Sequence, residues 1–152
     1  MVGIPIVFVL ISTIEMARGM WIYHTLAYAV KEGTRYAVAR GQNSPTPITY
    51  NDVCNIIAQA GTGLLREDLT LTFYSNSLLP GGTTVTADKC TGLPWPPGDG
   101  LSLIDNQPGQ TISIQGAYPF ASAISMFWPG AGPGRQFAPL TLRAGSKDVM
   151  QF

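Results

Sequence analysis

The first 41 residues constrain this chain more than any other feature. Between Ile4 and Ile14 almost every side chain is apolar (Ile4, Ile6, Val7, Phe8, Val9, Leu10, Ile11, Ile14), and no charged residue precedes Glu15. Helix-compatible residues then run on to Arg40. Gly3-Ile4-Pro5 makes a helix start, because proline is tolerated in a first turn. Gly41 supplies a stop, and Pro45 and Pro47 forbid continuation. The pattern predicts one helix of about 37 residues, about 55 Å long at 1.5 Å per residue. The remaining chain, about 110 residues, makes a globule with a radius of gyration near 13 Å. The helix must overshoot it, and the overshooting part is apolar all round. Such a surface belongs in a membrane or against other subunits.

Charge supports the same view. Of 152 residues 12% are charged, where an ordinary soluble domain has about 25%. Nine basic residues balance nine acidic ones, which excludes an electrostatic nucleic-acid binder. The balance hides a split. Residues 1–41 hold Arg18, Lys31, Arg35 and Arg40 against Glu15 and Glu32, a net of +2, so the remainder is −2. No charge occurs in 1–14, 41–51 or 106–134. So little charge would leave a free monomer poorly soluble, and the surface is expected to be covered in part by neighbours.

The charge-free run of 14 residues is shorter than the roughly 20 that a spanning helix needs. Extension to Val30 takes in Glu15, Arg18 and His24, which are costly in lipid unless paired. The spacing makes Glu15–Arg18 and Glu32–Arg35 i,i+3 pairs. Glu15–Arg18 reads either as a neutralising pair for an apolar setting or as a register-setting contact between subunits. Gly19 and Gly33 read as places where another chain packs closely. The segment lacks a basic leader, and its cations lie on the C-terminal side, which by the positive-inside rule would leave the rest of the chain in the cytoplasm. A basic leader that once preceded Met1 reconciles this with export.

Residues 42–152 are of another kind, rich in Thr, Ser, Gly and Pro. Cys54 and Cys90, the only two cysteines, are expected to form a disulfide in an oxidising compartment. Closing a loop of about 37 residues contributes roughly 3–4 kcal/mol in the chain-entropy model. Asn51 is expected to cap a helix over Asp52–Ala60 that ends at Gly61. Leu69–Tyr74, Thr83–Thr86, Thr111–Gln115 and Leu140–Arg143 alternate apolar and polar and read as strands, with Pro80-Gly81-Gly82 turning the first hairpin. The expected fold class is α+β: a stem helix (1–41) packed on a small antiparallel sheet in a head domain (42–152). The sheet's apolar face would meet the second half of the helix at Trp21, Leu26, Val30 and Tyr36 or their neighbours. Residues 91–110 and 128–139 read as Gly/Pro-rich loops.

The stretch Ile14-Glu15-Met16-Ala17-Arg18, the aromatics of Trp21-Ile22-Tyr23, and above all Lys31-Glu32-Gly33-Thr34-Arg35-Tyr36-Ala37 with Arg40-Gly41 resemble the N-terminal helix of TadE/TadG-like pilus proteins. Gly116–Phe120 and Leu140–Ser146 are similar to that family's closing strands. The likeness covers about 40 residues well and about 30 more in patches. It implies a type IV pilin-like protein, cut by a prepilin peptidase, held in the inner membrane and then built into a filament by pilus assembly machinery. Pilin-like proteins usually carry Glu at the fifth mature position, where this chain has Pro5; Glu15 matches the family's second, downstream Glu.

No constellation suggests catalysis. The single histidine, His24, reads as a packed helix residue. Gly130–Gly134 lacks the Lys and Ser/Thr of a phosphate loop, Asp99 and Asp105 fit no calcium spacing, and no Cys/His cluster suggests zinc. No enzyme activity, metal or cofactor is expected. Trp95, Phe127 and Trp128 place large aromatics in loops, where they contact a neighbouring subunit, cover the core or bind a ligand. The expected role is a structural subunit of an extracellular, cell-surface filament, a helical homopolymer of identical chains. Ile4, Val7, Phe8, Leu10, Ile11 and Ile14 would form its helical core. Alternatives are a membrane-anchored minor pilin that primes another protein's filament, and an adhesin that uses the loop aromatics.

Overall fold

The computed structural model describes residues 3–41, 44–46, 48–75, 83–90, 108–122 and 140–151. Trp95, Phe127 and Trp128, the Pro80–Gly82 turn, and most of the expected Gly/Pro-rich loops lie outside the described residues. The architecture is α+β: helices α1 (Gly3–Val38) and α2 (Tyr50–Ala60), then strands β1 (Thr70–Ser75), β2 (Thr83–Thr86), β3 (Thr111–Phe120) and β4 (Leu140–Val149). The four strands form one antiparallel sheet in the order β2-β1-β3-β4.

α1 runs without a break and ends at Val38, two residues before Arg40, where Arg40 N donates to Ala37 O in a tighter last turn. Only its second half is built into the core: Leu26, Ala29, Val30, Gly33, Thr34, Ala37 and Val38 are buried. The sheet turns alternate residues of β3 (Ile112, Ile114, Gly116, Tyr118) toward that face, with Leu71 and Phe73 of β1 beside them. At Gly116 helix and strand approach closely. A Cβ there would lie 2.7 Å from Val30 Cγ2 and 3.0 Å from Leu26 Cδ1, closer than packed atoms allow. Leu26 and Val30 thus pack as expected, and Tyr36 packs on the core half-buried. Trp21 does not: it is 68% exposed, because its position lies on the opposite side of the helix from Leu26 and Val30 at 100° per residue.

α2 begins one residue before the expected cap. Thr49, not Asn51, is the N-cap: Asp52 N donates to Thr49 Oγ1 (3.3 Å) and Thr49 N donates to Asp52 Oδ2 (3.1 Å). This reciprocal capping box satisfies two groups that an Asn51 cap would leave open. Gly61 ends the helix, donating to Ile57 O. α2 lies against α1 at Gly33, where a Cβ would come within 2.3 Å of Ile57 Cγ1. The space at Gly33, expected to receive another chain, is therefore filled within the chain. Gly19 likewise faces a residue of its own chain, Phe120, at an ordinary van der Waals distance.

Cys54 in α2 is joined to Cys90, four residues past β2, with both cysteines buried. The bond ties the edge hairpin to the helical layer. β3 and β4 are each ten residues long and paired throughout, Thr111 with Val149 to Phe120 with Leu140, so both extend five or six residues beyond the expected segments.

Candidate assembly surface

Three surfaces involve the expected functional residues, and all lie on or beside α1. The first is its N-terminal half. Ile4, Ile6, Val7, Phe8, Val9, Leu10 and Ile14 are exposed, Ile4 at 68%, and Ile11 is half-buried. The six residues expected in a helical filament core therefore cluster as one continuous apolar surface. Gly3, Ile4, Val7, Phe8 and Ile11 line a depression of about 390 Å³ along it. An eighteen-residue stretch of α1 with none of its residues buried reaches a mean hydropathy of 1.5. Such a stretch must lie before buried Leu26 and so includes Glu15 and Arg18. By length and composition α1 is thus able to cross a membrane, although its charge-free run is short. From Gly3 to Arg18 the helix extends about 24 Å, close to the roughly 30 Å of a hydrocarbon core.

The second surface is the back of α1. Half a turn from the buried residues, Leu10, Ile14, Ala17, Trp21, His24 and Tyr28 are all exposed. Their spacing alternates four and three, the repeat of a helix–helix seam. The strip continues from the projecting half onto the half that carries the head. His24 belongs to it and is exposed rather than packed, in edge-on contact with Tyr23. The strip was legible as a seven-residue repeat of Ile14, Trp21 and Tyr28, but nothing in the sequence said which face of α1 the sheet would take.

The third surface is the junction where the projecting half meets the head. Arg18 Nη2 donates to Glu15 Oε2 at 3.1 Å. It also donates to the Ala121 carbonyl just beyond β3, and its guanidinium lies 4.7 Å from the centre of the Phe120 ring. The Glu15 side chain is only 11% exposed and that of Arg18 46%. The sequence pointed to the pair; that Arg18 also fastens the stem to β3 depends on a residue more than a hundred positions away. Beside this clasp, α1 and the β3–β4 end of the sheet enclose an open groove of about 560 Å³, with Met16, Met20 and Tyr23 on one wall and Phe120, Leu140 and Leu142 on the other. Glu32 and Arg35 form a looser, exposed pair at 3.8 Å.

No protein-family model, no curated protein and no solved structure matches the chain. The likeness to TadE/TadG-like proteins rests on Ile14–Arg18, Trp21–Tyr23 and Lys31–Gly41, with Gly116–Phe120 and Leu140–Ser146.

Proposed function

We propose that the chain is a structural, pilin-like subunit of an extracellular filament, non-catalytic, held in a membrane before assembly and then bundled with identical copies through α1. One observation carries the reading: the first half of α1 leaves Ile4, Ile6, Val7, Phe8, Val9, Leu10 and Ile14 exposed, while the second half is the spine of the head's core. Burying apolar surface is favourable by roughly 25 cal/mol per Å² before entropic losses, so this half is driven into lipid or into a bundle. The exposed strip on the back of α1 supports helix-on-helix contact, and the Glu15–Arg18 pair lowers the cost of burying both charges. The resemblance to TadE/TadG-like proteins points the same way and implies the prepilin peptidase and assembly machinery.

Electron microscopy of the purified chain tests the reading. Filaments with the α1 helices at their centre are expected, and Phe8→Asp is expected to abolish them while leaving the head folded. A chain that stays membrane-bound at low copy number and forms no filament alone would instead favour a minor subunit that primes another protein's filament. That second reading is supported by the membrane-compatible length and hydropathy of α1. Glu15→Ala separates the two roles of the ion pair: lost assembly assigns it to subunit register, and normal assembly leaves it as a neutralising pair.

A further inference from the structure

The apolar segment of α1 and the apolar groove beside it cannot meet within one molecule. α1 is continuous from Gly3 to Val38, so Ile4–Ile11 cannot fold back onto a groove whose helical wall is made by residues 12–24 of the same helix. The two surfaces nevertheless match in chemistry. Ile4–Ile11 contains no polar side chain over eight consecutive positions. The groove's surface is mostly apolar although Ser12, Glu15, His24 and Ser122 also line it, and its methionines Met16 and Met20 are exposed and adaptable in shape.

We propose that this groove is the seat for the Ile4–Ile11 segment of a second copy, lying parallel to α1 and displaced along it by about 12 residues, roughly 18 Å. The inference rests on the filament reading and names the contact between its subunits. Parallel helices pack with axes about 8–10 Å apart, so a helix alongside Met16, Met20 and Tyr23 also reaches Leu140 and Leu142 on the sheet. Each copy offers one segment and one groove, which are different surfaces. The contact is therefore heterologous and repeats without closing, which makes a fibre rather than a dimer. An eight-residue segment is also much shorter than the 20–30 residues a side of a standard stable interface. A single contact is weak and becomes stable only when each copy is held by several neighbours. In-register pairing of two α1 helices would leave the groove of both copies open.

Both cysteines of the chain are used in the Cys54–Cys90 disulfide, so added cysteines report cleanly. Two differently tagged full-length chains, one Phe8→Cys and the other Met20→Cys, are co-assembled in membranes and as purified protein, oxidised, and separated without reductant, with electron microscopy of the same samples. The Phe8–Met20 heterodimer is expected in roughly tenfold excess over Phe8–Phe8, and adding Leu142→Lys to the Met20→Cys chain is expected to remove it while the native disulfide still forms. Filaments with Phe8–Phe8 in excess, or with no heterodimer, overturn the staggered seat and leave the filament reading standing. A heterodimer in membranes without filaments upholds the seat and overturns the filament reading. Acyl chains retained in the groove of a protein that gives no heterodimer overturn the seat in favour of lipid.

Discussion

At the scale of single residues, small and charged positions decide how the stem is held. Gly33 leaves room for Ile57 that no other residue could leave, since a Cβ would lie 2.3 Å from Ile57 Cγ1. Gly33→Val is expected to destabilise the head by about 1–3 kcal/mol in urea unfolding, the usual cost of overpacking, and Ile57→Ala is expected to recover part of that loss in a double-mutant cycle. Equal costs with and without Ile57 would show that the fit is not the reason for the glycine. Arg18 is half exposed, so its ion pair contributes little to folding. Arg18→Ala is expected to change unfolding by less than about 1 kcal/mol. It is also expected to weaken retention of the chain in vesicles by flotation, because Glu15 then enters the apolar setting without this cation. Unchanged flotation would remove the neutralising role.

At the scale of elements, periodicity and stop signals placed α1 within two residues of its observed ends, and placed β2 at its observed ends. The cap of α2 shifted to Thr49 because the capping box formed with Asp52 satisfies more backbone groups than Asn51 could. β3 and β4 outran their alternating cores. Gly116, Pro119 and Gly145 interrupt the pattern, yet the ladder between the two strands continues past them, since each strand's pairing is decided by its neighbour as well as by its own residues. The Cys54–Cys90 bond joins an α2 residue to the chain beyond the edge strand. Replacing both cysteines with Ala is expected to cost roughly 3–4 kcal/mol in the chain-entropy model, read as a lower urea midpoint with a slope no smaller than before, since the uncrosslinked chain unfolds to a more open state. A loss well below that would mean that the packing of α2 on Gly33 already holds the hairpin in place.

At the scale of the molecule, the head draws its core from α1 only from Ile22 onward, while the exposed apolar mass lies mostly before it. Removing residues 1–20 is therefore expected to give a monomeric, water-soluble head that keeps its disulfide and unfolds cooperatively, checked by sedimentation and thermal denaturation. Persistent association would transfer the main contact to the strip at Trp21 and Tyr28. The scarcity of charge fits the proposed assembly, in which this surface would be covered by lipid or by other copies.

The sequence by itself determined the long helix, the apolar character of its first half, the disulfide partners and the α+β class, because periodicity, stop residues and a single cysteine pair are local or countable signals. It also supplied the six residues of the apolar segment. Only the tertiary structure decided which side of α1 the sheet covers, and with it that Trp21, His24 and Tyr28 face outward. It alone decided that Gly33 receives Ile57, that Arg18 is fastened to Phe120 and Ala121, and that Met16, Met20, Leu140 and Leu142 form one groove. These are contacts between residues far apart in the chain, and helical spacing states which residues share a face without stating what that face will meet.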